Sequence, residues 1–76
     1  MSRAEAFGRA VRKARVRSKL SQEAFAERCG LHRNAVGLLE RGERTPTLDT
    51  IVQIAKALEI SPSKLVALFE RELATR

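Results

Sequence analysis

Arg33 and Asn34 stand side by side near the middle of the chain, followed by Ala35, Val36, Gly37 and Leu38. A guanidinium and a carboxamide on the first turn of a helix are the two groups best suited to reading base-pair edges. Arg can donate twice to guanine O6 and N7, and Asn can bond adenine N6 and N7 at once. Ala35 and Gly37 offer no side-chain hydrogen bond. Leu38 points outward by periodicity, where it either meets a thymine methyl or packs at the domain edge. Arg41, Arg44 and Thr45 follow within a short distance. Cations and a hydroxyl there suit phosphates, which position a protein on a duplex and make its binding salt-dependent. Gly37 inside a helix costs about 1 kcal/mol relative to Ala, which suggests close approach to another surface.

Such a reading head has to be held by a second helix. Phe25 and Cys29 are four apart and share one face, with the small Ala26 beside them. Gly30 falls where a left-handed residue would reverse the chain, and Leu31 plugs the corner. Val36 and Leu39 bury the inner side of the following helix. Ser21 is an N-cap without a full capping box, since Ala24 follows three residues later. His32 starts the next helix. The reading is two short helices over about 21–41 meeting at a tight corner. An αα-corner of this kind also occurs as a purely structural element; the added argument for nucleic acid is the basic and amide set on its outer side.

The stretch Leu20-Ser21-Gln22-Glu23 through Glu40-Arg41-Gly42, with Pro46-Thr47-Leu48 and Ile51-Ile54-Ala55-Leu58 after it, resembles the Xre/Cro/C1-type helix-turn-helix family. Leu31-His32-Arg33 with Leu39-Glu40-Arg41-Gly42 resembles, within it, the controller proteins of restriction–modification systems. The resemblance covers nearly the whole chain and implies an all-α, compact five-helix, lambda-repressor-like DNA-binding domain. It implies that Gln22 bonds a phosphate at a helix N-terminus and braces the recognition helix, a place where free N–H groups favour an anion; an exposed capping amide is the other reading. It also implies that Arg15 and Glu40 form a partly buried ion pair. Members of the family often carry larger or polar residues where this chain has Ala35 and Gly37. That departure shifts part of any specificity toward DNA shape.

Composition agrees with a polyanionic partner. The chain has 76 residues and a net charge of +6, and residues 1–44 hold the whole excess while residues 45–76 balance to zero. Its length suits one domain, 1–76, without an effector module. No apolar run reaches the roughly 20 residues of a membrane span, and no signal-peptide pattern is seen, so a cytoplasmic bacterial or phage-encoded protein is expected. The one cysteine, Cys29, reads as a core residue rather than a redox sensor. The one histidine, His32, has no companion ligands at metal spacing. No catalytic constellation, metal, cofactor or small-molecule ligand is expected.

The remaining elements follow from periodicity. A first helix runs from about Arg3 to Ser18, with Phe7, Val11 and Ala14 inward and Arg15 near that face. Arg17 and Lys19 are further phosphate candidates. Thr47 caps a fourth helix whose wide apolar face comprises Leu48, Ile51, Val52, Ile54, Ala55 and Leu58. Ser61 caps a fifth, with Pro62 in its first position. The fifth helix is apolar on more than one side, so a second copy of the chain is its simplest cover. The dimerisation region is placed at about 58–73, with Ile60, Leu65, Val66 and Phe69 as interface candidates. The expected function is a homodimeric transcriptional regulator on an inverted-repeat operator, autoregulatory as the controller resemblance implies. Activation would further require contact with RNA polymerase. A phage-type repressor or an antitoxin is the nearest alternative, and a protein-interaction module is the alternative of another class.

Overall fold

The computed structural model describes residues 1–75. Its elements in order are α1 (Arg3–Arg17), α2 (Gln22–Cys29), α3 (Arg33–Glu40), α4 (Leu48–Ala57) and α5 (Pro62–Ala74), with no strand among the described residues. The main packing pairs form a closed ring: α1 on α3, α3 on α2, α2 on α4, α4 on α5 and α5 back on α1. Each helix sends small or branched apolar groups to the middle. Phe7 and Val11 come from α1, Phe25, Ala26 and Cys29 from α2, Val36 and Leu39 from α3, Ile54, Ala55 and Ala57 from α4, and Leu65 from α5. Burying a side chain such as Phe25 or Ile54 contributes about 1.5–3 kcal/mol. Cys29 is part of this core, and burial pushes its thiol up to about 11, so the reactive thiolate is scarce at neutral pH.

The helix starts are chemically explicit. Ser2, Ser21, Thr47 and Ser61 each accept a hydrogen bond from the backbone N–H three residues on. At α1 the box is complete, because the Glu5 carboxylate accepts a hydrogen bond from the Ser2 N–H at 2.9 Å. The Ser-x-x-Glu spacing that produces this box is present in the sequence and was not part of the expectation above.

The ends of α1, α2, α3 and α4 share one geometry. In four places a residue with positive φ follows the helix, and the next N–H bonds a carbonyl five residues back. These are Lys19 (φ 60), Gly30 (φ 71), Gly42 (φ 73) and Glu59 (φ 60), with Leu20 to Arg15, Leu31 to Ala26, Glu43 to Leu38 and Ile60 to Ala55. This pattern satisfies end carbonyls that the helix leaves free. Glycine accepts the left-handed conformation without strain; lysine and glutamate do not.

Two glycines fix how closely α1 approaches the end of α3. A Cβ on Gly8 would lie under 3.0 Å from the carbonyl oxygens of Leu39 and Glu40, and one on Gly42 would meet the backbone of Glu5. Only hydrogen at Gly8 lets the two backbones cross at this distance.

Several expectations are revised. The first helix ends at Arg17, with Ser18 as its cap. Leu65 is 0% exposed, on the inner side of α5, so it belongs to the core of this chain and is withdrawn as an interface residue. Leu48 is 77% exposed and Val52 is exposed as well, so the fourth helix buries a narrower face than its composition suggests. Phe69 packs its ring at 6.3 Å from Phe7 and is half-buried, as is Ile60, while Val66 is 40% exposed.

A buried acid also closes the ring. Glu72 on α5 accepts from Lys13 Nζ at 2.7 Å and faces Arg9 Nε at 3.4 Å, both on α1. The bond from Lys13 holds its carboxyl below the usual carboxylate range. The folded chain therefore releases this proton at a lower pH than the unfolded chain does. The stability it contributes is present above the ordinary glutamate value of about 4.3 and is lost as pH falls through the folded one. Chemical unfolding measured against pH should show stability declining on acidification below about pH 5, and Glu72→Gln should flatten that decline. The second expectation concerns Glu59, which is doubly misplaced: left-handed, and an anion at the negative end of α4. Glu59→Gly should raise the thermal midpoint by roughly 2–6 °C, given about 4–8 °C per kcal/mol for a domain of this size.

Candidate nucleic-acid interface

α3 is eight residues long, too short to hold its shape alone in water. It is held from one side by Val36 and Leu39, both almost wholly buried, and by Glu40 at its last turn. The other side is left outward, with Arg33 and Asn34 exposed and Leu38 half-exposed. His32 is the N-cap residue and makes no side-chain cap bond, so the first N–H groups of α3 remain available. α2 meets α3 across the corner formed by Gly30 and Leu31.

Between the two helices runs an open groove lined by Gln22, Arg33, Asn34, Gly37, Leu38 and Arg41. Arg33, Asn34, Gly37 and Leu38 all lie in it, together with Gln22 and Arg41, two of the residues expected to meet phosphates. The remaining backbone candidates lie elsewhere. Lys19 is exposed in the left-handed turn ahead of α2, and Arg44 and Thr45 are exposed in the loop between α3 and α4. Arg17 instead lines the depression between α1 and α5, with Leu68, Arg71 and Glu72. Its position on the far side of α1 takes it out of the groove.

The orientation of α3 is set by a buried polar joint. Arg15 Nε donates to Glu40 Oε2 at 2.6 Å, and Arg15 Nη2 donates to Oε1 at 3.0 Å. The side chains are 11% and 2% exposed, so the expected ion pair is more deeply buried than its partly buried description. Arg15 Nη1 also donates to the Leu20 carbonyl at 2.8 Å. Gln22 Nε2 completes the joint by donating to Glu40 Oε1 at 3.0 Å. One carboxylate thereby ties together α1, the turn before α2, the start of α2 and the end of α3. Gln22 was expected to serve a phosphate and to brace the recognition helix. The brace is realised directly through Glu40, and the amide still borders the groove.

Two features of the groove have no counterpart in the sequence reading. Gly37 was linked to close approach by an outside surface. In the folded chain the space is filled from within: a Cβ at Gly37 would lie 3.0 Å from Arg41 Nη1, so the missing side chain lets Arg41 lie back over the helix. Arg41 Nε also donates to Glu43 Oε2 at 2.9 Å, with both side chains more than half exposed. Glu43 thus places an anion at the edge of a basic groove; the Arg-x-Glu spacing was visible in the sequence, but a pairing between residues two apart across a helix end depends on the turn at Gly42. Among the described residues no group of three or more His, Cys, Asp or Glu could hold a metal ion, and no helix is long and apolar enough to cross a membrane.

Comparison with known proteins places this geometry in a family. Residues 11–65 match the family model described as Helix-turn-helix (HTH_3). The control protein C.BamHI of Bacillus amyloliquefaciens is 44% identical over 61 residues, spanning 79% of this chain and 75% of that protein. The control protein C.SmaI of Serratia marcescens is 50% identical over 56 residues, spanning 74% and 67%. The crystal structure of the restriction-modification controller protein C.AhdI from Aeromonas hydrophila superposes with a TM-score of 0.79 at 42% identity, covering 82% of this chain and 94% of that one.

The buried joint is directly testable. Glu40→Ala would leave the Arg15 guanidinium buried without its counter-ion, a change that typically costs about 3–5 kcal/mol. That is comparable to the whole stability of a small domain. Urea unfolding should find Glu40→Ala largely unfolded or severely destabilised, whereas Gln22→Ala, which removes one hydrogen bond, should cost about 1 kcal/mol.

Proposed function

The chain belongs to the helix-turn-helix family, and from that premise we propose that it is a sequence-specific DNA-binding transcriptional regulator acting as a homodimer on an inverted-repeat operator. The observation that carries the reading is the single groove that gathers Arg33, Asn34, Gly37, Leu38, Gln22 and Arg41 on one side of α2 and α3. α3 presents its N-terminal turn to base edges, with Arg33 suited to guanine and Asn34 to adenine. Gln22, at the N-terminus of α2, and Arg41 flank it as phosphate contacts, and Lys19, Arg44 and Thr45 are proposed to add to them from neighbouring turns. Arg41 exchanges its bond to Glu43 for a phosphate oxygen when DNA arrives.

Dimerisation is proposed through α5 and the turn before it. Val66, Phe69 and Leu73 fall at spacings of three and four on one side of the helix, all at least partly exposed, and Ile60 adjoins the same end of the chain. Two recognition helices related by a two-fold axis would then lie about 34 Å apart, one turn of B-DNA. The relatives named control and controller proteins support a role beside a restriction–modification system, with the regulator acting on its own promoter. Occupancy is proposed to follow concentration, and a weak dimer would make that dependence steeper than linear.

A gel shift with the purified chain and the DNA upstream of its own gene, at two salt concentrations, tests the reading. Specific binding that weakens with salt is expected, and Arg33→Ala should cost about 1–3 kcal/mol at each half-site, or roughly 5- to 150-fold per half-site. Binding equal to that of random DNA, or an unaffected Arg33→Ala, would overturn it. Val66→Glu puts a charge on an exposed position of the proposed interface. In sedimentation it should shift the chain toward monomer while leaving the helical signal intact.

A further inference from the structure

The recognition groove is one of three adjoining depressions on this side of the molecule. Arg41 lines the groove and also lines a second depression with Met1, Glu5, Arg9 and Glu40. Arg9 and Glu40 in turn line a third with Arg12 and Lys13. Cationic side chains therefore continue from α3 across the end of that helix and onto the outer face of α1. The joint at Gly8 and Gly42 makes this possible, because it brings the backbone of α1 against the last turn of α3.

The acids along this path are mostly engaged. Glu40 is buried and saturated by Arg15 and Gln22. Glu5 accepts the Ser2 N–H of its capping box. Glu72 sits beneath Arg9 and Lys13 and offsets one of their two charges. Glu43 is paired with Arg41. Arg12 is exposed and has no hydrogen bond or ion pair among the described residues. A surface whose cations outnumber its unburied acids, and which is continuous with a major-groove reading head, fits the regularly spaced charges of a sugar–phosphate strand.

We propose that the phosphate strand bordering the recognition groove continues over α1, and that Arg12, with Arg9 beside it, forms a second, sequence-independent phosphate clamp. The inference rests on the DNA-binding reading above and adds to it a contact surface outside the helix-turn-helix. It gives two neighbouring arginines of α1 separate duties: the buried Arg15 holds α3 from within, and the exposed Arg12, three residues earlier, engages DNA from without. Contacts of this kind add affinity equally on every sequence.

The test is fluorescence anisotropy with the full chain, on the operator duplex and on a random duplex of equal length, across a salt series. Wild type is compared with Arg12→Gln and with Arg28→Gln. Arg28 is the control, since it lines a different depression, between the ends of α2 and α4, with Gln53 and Lys56. Both variants lose one exposed positive charge. Arg12→Gln is expected to weaken binding several-fold on both duplexes, leave their ratio unchanged, and make the log–log salt slope shallower by about 0.9 for each bound subunit, or about 1.8 for the dimer. Arg28→Gln is expected to bind as wild type, and matched thermal midpoints show that both variants are folded. An unchanged slope for Arg12→Gln overturns the clamp while wild-type binding keeps the parent reading. Equal losses in the two variants also overturn it, because net charge alone would then account for the effect. Wild-type protein that binds neither duplex removes the parent reading and the clamp with it.

Discussion

Everything outward in this molecule depends on one inward carboxylate. Glu40 is the last residue of α3, and its two oxygens accept three hydrogen bonds, two from Arg15 and one from Gln22. A buried ion pair adds little net stability when compared with well-packed apolar groups, because both partners lose their hydration. Its effect is directional. Two separate donors of one guanidinium bond the two oxygens of one carboxylate, at 2.6 and 3.0 Å, which restricts orientation in a way that the apolar contacts of Val36 and Leu39 do not. Arg15 spends a further N–H on the Leu20 carbonyl, so the turn leading into α2 is held by the same group. The angle between the two helices of the groove is thus fixed by polar geometry, and their separation by apolar packing.

The close crossing of α1 and α3 belongs to the same constraint. Arg15 can reach Glu40 only if α1 passes directly beneath the end of α3, and Gly8 is what lets it pass. On the opposite side of the ring Glu72 draws α5 onto α1 through Lys13 and Arg9. α1 is therefore anchored by an acid at each flank, one wholly buried and one nearly so. This fixes the relation between the groove on α2 and α3 and the apolar stripe on α5, two surfaces on different helices that the proposed dimer has to keep in register.

Much of this was legible in the sequence because it is local. Ser21, Thr47 and Ser61 mark helix starts by their own side chains, Gly30 marks a left-handed end, and the spacing of Phe25, Cys29, Val36 and Leu39 marks the inner faces. The outward set of Arg33 and Asn34 followed from the same periodicity. The Arg15–Glu40 pair was available only through family resemblance, since nothing in the spacing of two residues 25 apart announces a contact. What stayed hidden is tertiary in origin. Gly8 resembles an ordinary helical glycine until α3 crosses it. Glu72 looks like a solvent-facing acid on a helix that is apolar on several sides. Leu65 and Val66 are neighbours of similar character, and only the docking of α5 decides that the first is core and the second surface. The burial of α4 was overestimated for the same reason: composition supplied more apolar residues than the ring has room to cover, and Leu48 was left outside.

α3 separates its duties by position. Val36, Leu39 and Glu40 face the fold, and Arg33, Asn34, Ala35 and Leu38 do not contribute to its fully buried core. Substitution at the second set leaves the apolar core and the carboxylate joint intact, so the address read by the chain can drift without loss of foldability. The surfaces on α5 are untouched by such drift. On the proposed dimerisation through α5, descendants of this chain that have diverged only on the outer side of α3 would retain compatible partners. Two such lineages in one cell would then exchange subunits, and their mixed pairs would recognise half-sites drawn from both ancestors.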